Sequence, residues 1–294
     1  MEYILTLIQL FISGIVNGAI YALMALGFAL ILECTGLFNF AHGAFYIIGG
    51  YVTYYFTEVF GINPLISMII AVFFVAAIGF IIEKSVILQI RLRGGREWIL
   101  AGLIALLSLS VSTENLCLIL FGPEYRGLLP IFKGHIKLLS ILLDLQKLIN
   151  AMIALSTVLI LYFFLNNTKL GLSIKALAQN RELVELCGIN TSKLFSLVFA
   201  IGTALAGLAG ALLISIYYVS PTAGHFPGLM AFIVVVMAGL GSIVGVILTG
   251  FILGITDSVT SYFLSPEWGY LIAFTICMLT LVLKPAGLFG IRRE

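Results

Sequence analysis

Residues 5–32 contain no Asp, Glu, Lys or Arg, and further long apolar blocks follow to residue 284. A helix needs roughly 20 apolar residues to span a bilayer. A soluble domain of 294 residues with 62% hydrophobic and 10% charged residues would expose far too much apolar surface. The chain is therefore expected to be all-α, a polytopic membrane helix bundle of about 8–9 transmembrane helices. Spans are expected near residues 5–32, 40–57, 64–88, 98–120, 148–166, 194–217, 228–243, 244–263 and 268–284. The long first block and the short seventh leave eight as the alternative to nine.

Two glycine-punctuated breaks interrupt this pattern, Gly36 to Gly43 and Gly239 to Gly245. Irregular backbone survives at membrane depth only where it is buried in protein or lines a watery cavity. Paired interruptions in two halves of a chain mark a transport path, so broken or re-entrant segments are expected here.

The placement of basic residues orients the bundle. Lys84, Arg91, Arg93 and Arg96 share one loop, Lys169, Lys175, Arg181 and Lys193 another, and Lys284, Arg292 and Arg293 the end. The positive-inside rule makes these regions cytoplasmic and leaves Arg126, Lys133, Lys137 and Lys147 on the far side. Nine spans then put the start of the chain, with only Glu2, outside and the C-terminus inside. The start lacks a basic segment and its apolar run is far longer than a signal core, so the first span is expected to be retained. A net charge of +2 gives no argument for nucleic acid.

No hydrophilic domain or long linker divides the sequence, so a single membrane domain over 1–294 is expected. The excursion at 121–147, with Gly122, Pro123, Pro130 and Gly134, reads as an irregular external loop. That at 168–193 reads as short helices: Lys175, Gln179 and Glu182 share one polar face, Asn180 is placed to cap, and Gly188 to stop. Such an element either docks a cytoplasmic partner or lies on the headgroups. Stripes of small residues (Gly202, Ala206, Gly210; Gly241, Gly245, Thr249; Gly250, Gly254, Ser258) point to close helix packing.

Catalysis has no support. GxxxxGK[ST], HExxH and GxSxG are absent, and His42, His135 and His225 are far apart in sequence. If transport is ATP-driven, another chain must bind the ATP. Cys34, Cys117, Cys187 and Cys277 show no metal-ligand spacing and are expected to be small buried apolar residues. Polar residues within spans are costly and carry function by default; here they are Asn39, His42, Glu114, Asn115, Ser242 and Asp257. Asn39 and His42 flank a break and either hold helix termini or line a polar cavity. Asp257 shares a helical face with Gly250 and Gly254, which fits an interhelical hydrogen bond or a substrate or gating role. Glu114 with Asn115 reads the same way.

The run Asn17-Gly18-Ala19-Ile20-Tyr21-Ala22-Leu23, followed by Gly36-Leu37-Phe38-Asn39-Phe40-Ala41-His42-Gly43, resembles the permease subunits of branched-chain amino-acid ABC importers, of LivH type. Ala176 with Gln179-Asn180, Cys187-Gly188-Ile189-Asn190, Ala206 to Leu212, Gly239 to Gly245 and Lys284 to Gly290 continue the resemblance in order over nearly the whole chain.

The resemblance implies a non-catalytic permease in the plasma membrane (the inner membrane of a double-membraned cell). It also implies a second, LivM-like permease, two cytoplasmic subunits that bind ATP and Mg, and an extracytoplasmic substrate-binding protein. The translocated solute would be a branched-chain or related amino acid; urea, short amides or another small polar solute are the alternatives within the family, and an ion-coupled secondary transporter is the alternative outside it. On this reading Asn39, His42, Gly43, Glu114, Gly241, Ser242 and Asp257 line the substrate path, and Lys175, Gln179, Glu182, Glu185 and Gly188 meet an ATP-binding subunit. Glu114-Asn115 departs from the neutral amide pair expected there.

Overall fold

The computed structural model describes residues 2–132, 134–138 and 141–290. Lys133, Arg292 and Arg293 lie outside them, as do the side chains of Glu2, Arg96 and Lys137.

The first apolar block forms one helix, α1 (Glu2–Thr35), whose middle is buried all round. A helix apolar on every side must sit at the centre of a bundle or face lipid. Here it is central, packed by α6 (Leu145–Asn167), α9 (Thr191–Leu213), α10 (His225–Ala238) and α11 (Ile243–Phe263). The closest approach is to α11, where Gly254 has room for no side chain: a Cβ would stand 2.4 Å from the Gly18 Cα. The Gly250–Gly254 stripe thus packs as small residues in membrane helices do.

Packed on α9 and on each other lie α2 (His42–Tyr54), which ends in a π turn over Tyr55–Val59, and α3 (Pro64–Ile82). Asn63 caps α3 by accepting from the Leu65 N–H at 3.0 Å, with Pro64 at the first position. A second π turn, Glu83–Ile87, carries α3 into α4 (Leu88–Arg93), and α5 (Trp98–Phe121) returns. Two short helices, α7 (Lys169–Gln179) and α8 (Arg181–Leu186), join α6 to α9, and α12 (Pro266–Leu283) closes the chain.

Among the described residues six helices are long and apolar enough to cross a membrane, while α10 and α12 are shorter apolar helices. The expected span at 228–243 is displaced: α10 begins at His225 and stops at Ala238, because Gly239 takes φ +85. Residues 121–147 are also less irregular than expected. They include an antiparallel hairpin, β1 (His135–Leu138) against β2 (Ile141–Asp144), with His135 opposite Asp144. Asp144 then caps α6 by accepting from Gln146.

Glycine contacts fix the helix directions. Gly27 meets Leu205 while Ile31 meets Gly202, so α1 and α9 are antiparallel; Val75 meets Gly207 and Gly79 meets Thr203, so α3 and α9 are too. The order of long helix, short fold-back helix and two further helices in α1–α2–α3–α5 therefore recurs in α9–α10–α11–α12 with its direction inverted. Inverted repeats of this kind place broken helices at the centre of a transporter.

Candidate translocation site and coupling face

At the end of α1 the Thr35 hydroxyl donates to the Ile31 carbonyl at 2.7 Å and accepts from Leu37 N–H, and Gly36 turns the chain at φ +73. The chain then folds back along α1. Asn39 makes a local turn, its Oδ1 accepting from Ala41 N–H at 3.2 Å and its carbonyl from His42 N–H at 3.0 Å. The helix α2 starts there with no side-chain cap. His42 fixes the depth of this start, because its Nε2 donates to the Met24 carbonyl at 3.0 Å. Met24 lies eleven residues before the end of α1, or about 16 Å along the axis. The first helix after the break thus begins deep in the bundle.

The second repeat does the same from the other side. After α9 the chain folds back through residues 214–224, and α10 starts behind Gly224, again without a side-chain cap. The two starts touch: a Cβ on Gly43 would lie 2.3 Å from the Gly224 carbonyl oxygen, and one on Gly224 2.2 Å from that of Gly43. Only glycine at both positions lets the N-termini of α2 and α10 meet.

Beside this crossing is a cavity of about 420 Å³ between α1, α2, α5 and α10. Asn39 lines it from the break, His42 and Gly43 from α2, Glu114 from α5 and His225 from α10, with Phe28, Ile47, Leu107, Val111 and Phe232 as apolar wall. His225 Nε2 stands 3.2 Å from Glu114 Oε1. Asn39 and His42 are each 1% exposed, yet Asn39 Nδ2 and His42 Nδ1 have no hydrogen-bond partner among the described residues. Unpaired buried polar groups are costly.

Four of the residues expected along the path, Asn39, His42, Gly43 and Glu114, therefore meet at one cavity. Asp257 lines a different one, about 560 Å³, on the other face of the α10 start, and accepts from the Tyr21 hydroxyl at 2.8 Å. Gly241 and Ser242 lie in neither cavity. Gly241 (φ +93) turns between α10 and α11 and donates its N–H to Glu33, and Ser242 caps α11 by accepting from Gly245 N–H at 3.0 Å. Asn115 turns outward, donating to the Val111 carbonyl. His225 was not singled out from sequence as a cavity residue. Its signal was a histidine following Gly224 at the head of an apolar run, the pattern His42 shows after the first break.

At the end where α1 finishes, α7 and α8 sit outside the bundle. Asn180 is extended and caps α8, accepting from Leu183 N–H at 3.1 Å, so Lys175 and Gln179 lie on one helix and Glu182 on the next. The expected continuous polar face is thus split. Lys175 Nζ donates to Asn166 Oδ1 at 2.7 Å, whereas Gln179 and Glu182 are exposed. Glu185 accepts from Thr191 Oγ1 at 2.7 Å and Arg181 Nε at 2.9 Å, and these bonds, the threonine first, hold its carboxyl below the usual range. Gly188 takes φ +76 at the stop. Leu183 and Leu186 are 59% and 83% exposed, an apolar element of this face that sequence reasoning missed. Cys187, expected buried, is exposed beside them, because α8 buries only Val184.

Arg181 also reaches inward. Its guanidinium lies 5.4 Å from the Phe195 ring centroid on α9, and the Arg91 guanidinium lies 3.9 Å from the same ring. Arg91 donates to Glu83 at 2.9 Å in a pair that is almost fully buried, and Ser196 donates to the other Glu83 oxygen. The π turn at Glu83–Ile87 is where this carboxylate leaves α3.

The chain resembles the high-affinity branched-chain amino acid transport system permease protein LivH of Escherichia coli (strain K12), at 29% identity over 98% of this chain and 97% of that one. It is 27% identical to the permease protein BraD of Pseudomonas aeruginosa, over 96% and 95% of the two chains. In fold it is similar to PsaBC from Streptococcus pneumoniae, solved in complex with Fab, with a TM-score of 0.50 at 14% identity, covering 93% of this chain and 91% of that one. Residues 10–281 match the family described as branched-chain amino acid transport system / permease component, and this multi-pass membrane protein belongs to that family.

Proposed function

We propose that the chain is a permease subunit of an ATP-driven importer of branched-chain or related amino acids, and that the solute passes the cavity at the α2–α10 crossing. The observation that carries this reading is the meeting of two fold-back helices at Gly43 and Gly224, beside a cavity lined by Asn39, His42 and Glu114. Within the family, that is an irregular backbone lining a path. Glu114 and Asn115 stand on an exposed α5 face that also carries Ser108 and Ser112 among the apolar Ile104, Leu107 and Val111. Charged and amide groups there disfavour contact with lipid tails and favour a second permease subunit, which would complete the path.

On the same reading α7, α8 and the C-terminus are cytoplasmic. The exposed Gln179, Glu182, Leu183 and Leu186 meet one of two separate subunits that bind ATP and Mg, and an extracytoplasmic protein delivers the solute. This chain supplies the path and the coupling contact and performs no chemistry. The test is reconstitution in liposomes. Leucine uptake should require the second permease, the ATP-binding subunits, the binding protein and ATP. Uptake by this chain alone, driven by an ion gradient and indifferent to ATP, would overturn the proposal.

A further inference from the structure

The cavity at the α2–α10 crossing holds an unusual set of unfilled valences. Asn39 Oδ1 is taken by Ala41 N–H, so the idle amide Nδ2 is a donor. The Met24 carbonyl can only accept, so His42 Nε2 carries its proton, and the neutral ring leaves Nδ1 as an idle acceptor. The start of α2, a helix of 13 residues, adds the positive end of its dipole, although the N–H groups of Ala41, His42 and Ala44 are already accepted by Asn39 and Ala41. The start of α10 is different, for Glu114 already stands against its first residue, His225, and brings a carboxylate to that end. One side of the cavity therefore presents donors without an anion, and the other an anion without a full complement of donors.

We propose that this cavity recognises the charged ends of a free amino acid in transit: the α-carboxylate at the α2 start and Asn39 Nδ2, and the α-ammonium at Glu114 with help from His42 Nδ1. A simple anion would leave His42 Nδ1 idle and meet Glu114 as a like charge. A simple cation would leave Asn39 Nδ2 unpaired and meet the positive end of α2 as a like charge. Only a ligand carrying both charges completes the set. The wall of Phe28, Leu107, Val111 and Phe232 is apolar, as an aliphatic side chain requires, and about 420 Å³ is within the range of small-molecule sites. This inference rests on the reading of the chain as an amino-acid permease and adds that selection occurs within the permease itself.

The experiment uses the complete reconstituted complex with its binding protein held constant, so that differences among variants belong to the permease. Glu114→Gln and Asn39→Ala should each lower leucine uptake at least tenfold at saturating binding protein, while Glu114→Asp recovers part of it. Saturation-transfer NMR on the complex without the binding protein should show contact with leucine. It should show much less with 4-methylpentanoate, which lacks the ammonium, and with isoamylamine, which lacks the carboxylate. Equal signals from all three compounds, or wild-type uptake by both variants, would overturn the assignment while leaving leucine import intact. A complex that imports no leucine at any concentration would instead remove the functional reading on which the assignment rests. If a variant fails to assemble, the compound series on the wild-type complex decides.

Discussion

Two glycines show how finely single residues set the geometry of this molecule. Gly43 is held against Gly224 by backbone contact, whereas Gly36 has a positive φ of +73 and nothing within 4 Å of where its Cβ would be. Gly43→Ala should force α2 and α10 apart and cost about 1–3 kcal/mol, as overpacking does. Gly36→Ala carries only the left-handed backbone penalty, about 1–2 kcal/mol, and leaves the cavity walls in place. Both variants should lower the thermal midpoint of the purified complex, but leucine uptake should collapse only for Gly43→Ala. Equal loss of uptake would mean that the crossing does not set the path. The sequence showed both glycines as part of one break, yet it could not separate their roles. A positive φ is a local property, but the Gly43–Gly224 contact joins residues 181 positions apart.

Among the elements, legibility followed length. The long apolar helices α1, α3, α5, α6, α9 and α11 were plain from composition because each must cover a membrane's thickness. A break before α2 was legible, but its fold-back was not, since residues 40–57 read as one crossing and it takes the His42–Met24 hydrogen bond and the Gly43–Gly224 contact to reveal the depth of the start. The hairpin of β1 and β2 was missed because the Gly and Pro residues before it dominate the loop's composition. In α8 the capping role of Asn180 and the stop at Gly188 were legible from residue type, while the outward Leu183 and Leu186 were not: six residues are too few for a periodicity to show a face. Their exposure gives a prediction for this element. Leu186→Asp should weaken capture of the ATP-binding subunits at least tenfold in a pull-down of the purified permease pair, and Cys187→Ser should leave it unchanged. Wild-type capture by Leu186→Asp would place the docking contact elsewhere.

At the scale of the whole molecule, the proposed coupling face and the cavity lie apart. The helix α1 reaches both, packing on α7 and lining the cavity through Phe28, while α9 packs on α7 and α8 at one end and on α2, which lines the cavity, further along. The helix α9 carries Phe195, against whose ring the guanidinium groups of Arg181 of α8 and Arg91 of α4 both lie, and further along packs against α1, α2 and α3. Its glycines leave no slack, for a Cβ on Gly207 would crowd Val75 and one on Gly210 would stand 2.0 Å from the Tyr46 carbonyl oxygen. A displacement of α8 should therefore move α9, and with it α2, as a packed unit rather than dissipate between them. The anchor at the near end is the buried Glu83–Arg91 pair, and removing one partner of such a pair costs about 3–5 kcal/mol. A Glu83 variant would thus confuse stability with coupling. Phe195→Leu is the better probe because it keeps an apolar side chain and removes only the ring that both guanidinium groups approach. It should assemble with normal stoichiometry and bind the substrate-loaded binding protein as before, while fewer leucine molecules enter per ATP hydrolysed, by about threefold or more. Since spatial intermediacy alone does not establish coupling, the decisive measurement is a double-mutant cycle with Arg181→Ala. If the Phe195 ring transmits what α8 receives, the second substitution should add little to the first. Full additivity of the two losses, or an unchanged transport ratio in Phe195→Leu, would show that α8 moves the bundle by another route.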